Sequence, residues 1–161
     1  MLASNLLERT RQWNPSPNTN TGGWAKSALN TFLNTRLYDA MPVQIKSLIK
    51  RVNVTSSIGD QSTSTSECGC YIAVPALIEV DSSQKTDPYV NESTPIAGMD
   101  SNEHRRRAFS NGEFYEYWTR SPSVVSWTST KYYVNSVEST GAIKNTATPS
   151  TSLGVLIQMS F

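Results

Sequence analysis

Gly154-Val155-Leu156-Ile157-Gln158-Met159-Ser160-Phe161 is the last apolar run of the chain, and its pattern predicts an extended strand. The only other short apolar run near an end is Leu2 to Leu7, which stops at Glu8 and predicts a first strand. A last strand that pairs with a first strand brings the two chain ends together. That closure decides which layout the segments between them can take.

Working inward from the amino end, Arg11 to Gly23 is rich in proline, glycine, asparagine and threonine and reads as a loop. Trp24, Ala28, Leu29, Phe32 and Leu33 recur at helical spacing, with Thr21 placed as a cap. Met41-Pro42 opens a second helix, because proline suits the first helical turn. Its apolar stripe is Ile45, Leu48 and Ile49. Val52 and Val54 start a strand, and Ser56 to Glu67 reads as an exposed polar loop. Cys70 to Val80 is apolar and reads as a buried extended segment bent at Pro75. Asp81 to Asn111 is long and polar; such a loop is functional or packs on its own side chains. Phe114 to Trp118 is an aromatic cluster, and Lys131 to Ser136 and Ala142 to Thr146 read as strands on either side of Gly141. There is no internal repeat. The expectation is one α+β domain over residues 1–161 with a C-type-lectin-like layout: two helices on a small twisted antiparallel sheet, with long irregular loops.

Composition narrows the function. Of the 161 residues 37% are hydrophobic and 17% charged, and Ser, Thr and Asn make up about a third. Such side chains favour turns, caps and exposed strand faces. The net charge of +1 gives none of the long-range field that nucleic-acid or anionic-membrane binding usually needs. No apolar run approaches membrane-spanning length, and the first residues do not form a signal peptide. Cys68 and Cys70 flank Gly69. They point to one face if the segment is a strand, and they are expected to be reduced thiols. Two thiols are too few for a structural zinc site. His104, the single histidine, has no nucleophile partner in a motif, and there is no phosphate loop. Asp87, Asn91 and Glu92 follow no calcium-loop spacing. No cofactor, metal or catalytic residue is expected, and the chain reads as a non-enzyme. The run Glu103-His104-Arg105-Arg106-Arg107 reads as solvated.

Two groups of residues are candidates for contact. Trp118, Arg120 and Pro122 floor a ligand site on one reading; on the other the tryptophan is core and the arginine bonds loop carbonyls. Ser123 to Thr151 is rich in Ser, Thr, Asn, Tyr and Trp, the composition of an antibody-like contact surface. Trp127, Lys131, Tyr132, Asn135, Asn145 and Thr148 then make a recognition surface, or else an ordinary solvated sheet face.

Several stretches carry a resemblance. Gly22 to Asn34 resembles the "G-W-x-x-S-x-L-R-x-W-L-N" helix of an uncharacterised domain family found in Firmicutes surface proteins and in tail or fibre proteins of their phages. Tyr38 to Lys50 is similar to its "ALP-x-x-W-x-x-x-I-K" helix, and Ile72 to Val80 to its "lpS-x-x-Ev" segment. Tyr117-Trp118-Thr119-Arg120-Ser121-Pro122 resembles "WW-L-R-S-P", the most specific signature. Tyr132 to Ser136 with Gly141 resembles "yVnsdG", and Gly154-Val155 begins the counterpart of "GVRPAF". Leu156-Ile157 departs from that Arg-Pro, and Ala28-Leu29-Asn30 lacks the usual arginine. The family usually has further sequence ahead of the first strand, so a short member or a fragment is expected. The resemblance implies a C-type-lectin-like fold with Trp24, Trp118, Arg120, Pro122 and Gly154 as its structural signature, and variable receptor-binding surfaces near the carboxyl end. It also implies a virion structural or adhesion module: a tail, fibre or head-decoration protein on the particle surface. Its partners would be other virion proteins, copies of itself, and a host surface glycan or protein. The alternative is a carbohydrate-binding module of a bacterial surface protein.

Overall fold

The computed structural model describes residues 1–124 and 132–161. The two ends pair as the apolar runs predict. Ala3 N donates to Ile157 O and Leu7 N to Val155 O, both at 2.9 Å, and Met159 N donates to Met1 O at 2.9 Å. The pairing is sparse, however, with a single antiparallel bridge at Leu2–Gln158. Leu6 N turns instead to Ala108 O, and the Leu6 side chain is buried in a different core cluster from the one Leu7 packs on. Neighbouring residues of an extended segment point to opposite faces, so Leu6 and Leu7 reach the two clusters from either side of it.

The architecture is mixed α and β, with short helices and small antiparallel sheets. The strands are β1 (Arg11–Gln12), β2 (Val52–Ser57), β3 (Thr65–Cys70), β4 (Ile72–Ala73), β5 (Tyr117–Pro122), β6 (Val134–Val137), β7 (Ile143–Ala147), β8 (Ser152–Leu153) and β9 (Gln158–Met159). β5-β6-β7 form one sheet, and β1–β8, β2–β3 and β4–β9 pair two by two. The helices are α1 (Gly23–Lys26), α2 (Ala28–Phe32), α3 (Tyr38–Ala40), α4 (Val43–Lys46), α5 (Leu77–Val80) and α6 (Asn102–Arg105). Trp13, Trp24, Leu29, Leu33, Ile72, Val74 and Trp118 are buried together in the main core, and Leu77, Val80, Tyr89, Met99, Tyr117 and Leu156 in a second cluster.

The expected first helix is cut in two at Ser27. That residue is extended (φ −70°, ψ 145°), and its Oγ accepts from Asn30 N at 3.0 Å as the cap of α2. Thr21 is not the cap: its hydroxyl donates to Asp60, and Gly22, left-handed at φ 81°, precedes α1. Gly23 is required by close approach, since a Cβ there would lie 1.8 Å from Ser57 O. Beyond α2 the helix widens into a π turn at Leu33–Leu37. Within it Asn34 Oδ1 accepts from Tyr71 N (2.7 Å) and Ile72 N (3.0 Å), and its Nδ2 donates to Ile72 O (2.7 Å). The asparagine behaves as an extra strand residue and ties the helix to β4. Ser27→Ala should cost about 1 kcal/mol in chemical denaturation, the ordinary loss for a cap.

The second expected helix shrinks to α4, and its apolar stripe is corrected. Val43 is 69% and Leu48 59% exposed, Ile45 is also exposed, and only Ile49 enters the core. No described element covers the stripe, so Leu48→Ser should change the denaturation free energy by no more than about 0.5 kcal/mol. Two further expectations change. The loop from Ser56 starts later, because Ser56 and Ser57 remain in β2 and are buried under α1. The charge run is not solvated throughout: Arg105 is buried and donates to Gly141 O at 2.9 Å and to Asn102 Oδ1 at 2.6 Å. Arg106 lies over the Phe114 ring at 3.8 Å. The long segment from Asp81 does pack on its own side chains, through buried Tyr89, Glu92, Met99 and Arg105.

Candidate functional site

A cleft of about 260 Å³ opens between β2 and β9, where the edges of two small sheets splay apart. Lys50 N donates to Ser160 O at 2.8 Å and ties the edges at one point. Further along β2 a side chain, Arg120, bridges the strands: its Nε donates to Thr55 O at 3.0 Å and its Nη1 reaches Gln158 Oε1 at 3.4 Å. Val52 to Thr55 form one wall and Gln158 to Ser160 the other. Cys70, Tyr71 and Ala73 line the strand end between them, and Arg120, Glu79, Glu92 and Ser93 the floor.

The floor is a closed polar network. Arg120 is 2% exposed, Glu79 5% and Glu92 3%. The guanidinium meets Glu79 through two parallel contacts, Nη1–Oε2 at 2.9 Å and Nη2–Oε1 at 3.2 Å. It also donates to Val74 O at 3.0 Å and Glu92 O at 3.4 Å. With Thr55 and Gln158 the guanidinium has six acceptors for its five N–H groups, Nη1 sharing its two hydrogens among Val74 O, Glu79 Oε2 and the more distant Gln158 Oε1, so none is left over. Glu79 is equally full, because Ser93 Oγ donates to Oε1 at 2.6 Å and Ala76 N to Oε2 at 2.8 Å. Burial alone would raise the Glu79 pKa. The Arg120 charge, with hydrogen bonds from Arg120, Ser93 and Ala76, holds it below its ordinary value instead. Glu92 lies the other way: burial outweighs its bonds from Ser121 Oγ and Ser57 N and pushes it up to about 7. The Cys70 thiol on the cleft is also raised, first by burial and then by neighbouring Cys68, so it stays protonated and unreactive. Both cysteines are free thiols.

The residues singled out from sequence do not gather here as a group. Arg120 forms the floor, but as an anchor for carbonyls and Glu79. Trp118 is core: it is buried, and Nε1 donates to Arg11 O at 2.8 Å. Trp24 and Pro122 are buried as well. Gly154 is packed so that a Cβ would meet Leu6 Cδ1 at 2.7 Å. Of the expected recognition surface, Asn135 is corrected. It is 1% exposed, and its amide donates to Ser121 O (2.9 Å) and Tyr89 Oη (3.1 Å). Tyr132, Asn145 and Thr148 are half-buried at or beside β6 and β7, the latter on the sheet edge. Trp127 and Lys131 lie outside the described residues. Among the described residues no three acidic, histidine or cysteine side chains come together as a metal site, and Asn91 bonds Asp87 directly at 2.6 Å.

A family model described as a domain of unknown function, DUF6273, matches residues 1–157. The chain belongs to this family. No curated protein matches the chain, and no solved structure does. For this DUF6273 domain the sequence had singled out Arg120 but not its partner Glu79, nor Ser93 on Glu79 and Ser57 on Glu92; Glu92 entered only as a calcium candidate without the spacing. The signal was present in part. Glu79 is the single charge in the apolar run Ile72 to Val80, and a carboxylate inside such a run must find a cation or hydrogen-bond donors when buried.

Proposed function

We propose that this DUF6273 domain is a non-catalytic recognition module of a bacteriophage virion, part of a tail, fibre or head-decoration protein, that presents a binding surface to a host-cell or virion partner. The observation that carries the reading is the saturation of the Arg120–Glu79 pair. Every donor and acceptor of the pair is spent on the chain's own segments, which suits a clamp that shapes a surface rather than a group that attacks a substrate. The half-exposed polar residues Tyr132, Asn145 and Thr148 beside the sheet edge supply adaptable contacts on a fixed scaffold. Virion components of this kind assemble symmetrically.

Mass spectrometry of gradient-purified particles, set against the lysate they came from, tests the reading. The chain is expected to co-purify at a stoichiometry matching a symmetric ring or spike. Its presence in the lysate and absence from the particles would remove the virion assignment. The alternative of a carbohydrate-binding module of a bacterial surface protein is favoured by the lining of the β2–β9 cleft.

A further inference from the structure

Resting on that recognition reading, we infer that the β2–β9 cleft is a subsite for one neutral, polyhydroxylated ring, a single uncharged sugar residue of a glycan. The groups that the cleft still has free decide which ligand it can take. An anion needs free donors of positive charge, and Arg120, the cation on the floor, has none left. A cation needs free carboxylate oxygens. Both oxygens of Glu79 are doubly engaged, and those of Glu92 are held by Ser57 N and Ser121 Oγ. What remains among the lining residues is neutral: Thr55, Ser160 and Gln158, whose amide oxygen accepts from Arg120 and whose nitrogen is left to donate.

The apolar part of the lining has the matching form. Tyr71 lines the cleft and stacks on Tyr38, with centroids 4.1 Å apart and planes 11° from parallel. Lys46 Nζ sits 5.7 Å from the Tyr38 ring. The tyrosine is thus braced from behind, and an aromatic held in this way packs well on the C–H face of a sugar. Met159 and Val54 complete the apolar patch. A volume of about 260 Å³ lies just below the roughly 300–1,000 Å³ of sites for drug-sized ligands and admits one ring rather than a chain of them. A neutral ring with hydroxyls on its edge and C–H groups on its face satisfies each of these surfaces.

The test is a titration of the full chain, followed by amide NMR shifts, with a panel of methyl hexopyranosides and N-acetylhexosaminides. The matching uronic acid and free amino sugar serve as charged controls, and the free reducing sugar tells a glycan-linked ring from a soluble one. At least one neutral glycoside should shift the amides of Val54, Gln158 and Ser160 saturably, with the charged counterparts at least tenfold weaker. Tyr71→Ala should weaken binding about tenfold, the upper end of one aromatic contact. Gln158→Ala, which keeps the β4–β9 backbone pairing, should weaken it as well, and Lys26→Ala, an exposed position outside the cleft, should not. Equal affinity for charged and neutral sugars, no shift at those amides with any neutral glycoside, or unchanged affinity in a folded Gln158→Ala variant would each overturn the inference. A parallel measurement of labelled protein on host cells separates the two ideas. Cells that bind the wild type and Gln158→Ala alike leave recognition standing and remove this cleft from it; cells that bind neither protein, with no glycoside bound, remove both.

Discussion

Arg120→Met is expected to lower the unfolding free energy by about 3–5 kcal/mol, the cost of removing one partner of a buried ion pair. Set against the roughly 5–15 kcal/mol that holds a domain of this kind together, that leaves a marginally folded protein. The loss has two sources. Glu79, 5% exposed, keeps its charge with no cation beside it, and Thr55 O and Val74 O lose their donor. Methionine fills much of the volume, so the loss does not come from a cavity. Two controls identify the cause. Acid should narrow the gap between variant and wild type, because an unpaired buried Glu79 protonates and its desolvation penalty disappears. Adding Glu79→Gln should recover part of the loss for the same reason, and the orphaned carbonyls should account for the rest. Urea midpoints at pH 4 and pH 7 read both effects. A variant within about 1 kcal/mol of wild type at pH 7 would mean that the clamp does not hold the sheets.

The same arginine illustrates how far the sequence can be read. Its burial was one of two open readings at Tyr117 to Pro122, since a lone cation among aromatics either reaches solvent or finds acceptors. The choice depends on Glu79, 41 residues away, and no local pattern encodes that pairing. End-to-end closure was legible because two apolar runs have few other ways to bury themselves. The break at Ser27 was not, because the periodicity of Trp24, Ala28, Leu29, Phe32 and Leu33 is the same whether or not one residue between them is extended. The stripe at Ile45, Leu48 and Ile49 failed for a different reason. Periodicity says which residues share a face, but not whether another element arrives to cover it. Asn135 was misread because its composition-level role, a polar residue in a polar region, is the same outside as inside. Inside, it satisfies Ser121 O and Tyr89 Oη.

Glu92→Gln should make the protein more stable, and by an amount that grows with pH. Glu92 is 3% exposed, and burial lifts its folded-state pKa from 4.5 to about 7. The unfolded carboxyl ionises near its ordinary value. Between these two values the folded state holds a proton that the unfolded state has released, so unfolding becomes easier as pH rises. The stability this group contributes is complete below about pH 4.5 and lost by the time the pH has passed through 7. The shift corresponds to a penalty on the order of 3 kcal/mol at pH 8. A glutamine at this position never takes on the charge. Its oxygen can accept from Ser57 N as the carboxylate does, and its amide can donate to Ser121 Oγ, as a protonated carboxyl would. The variant should therefore match wild type to within about 1 kcal/mol at pH 5 and exceed it by about 3 kcal/mol at pH 8. Glu79, held below its ordinary pKa by Arg120 despite burial, gives a slope of the opposite sign, and that slope lies only in acid: its stabilisation is present above its unfolded value and lost as pH falls through the folded one. A wild-type profile that rises from pH 5 to pH 8, or a glutamine variant with the same slope as wild type, would place the titration elsewhere. The expected pair of slopes would assign it to the one carboxyl of the floor that has no cation bonded to its oxygens.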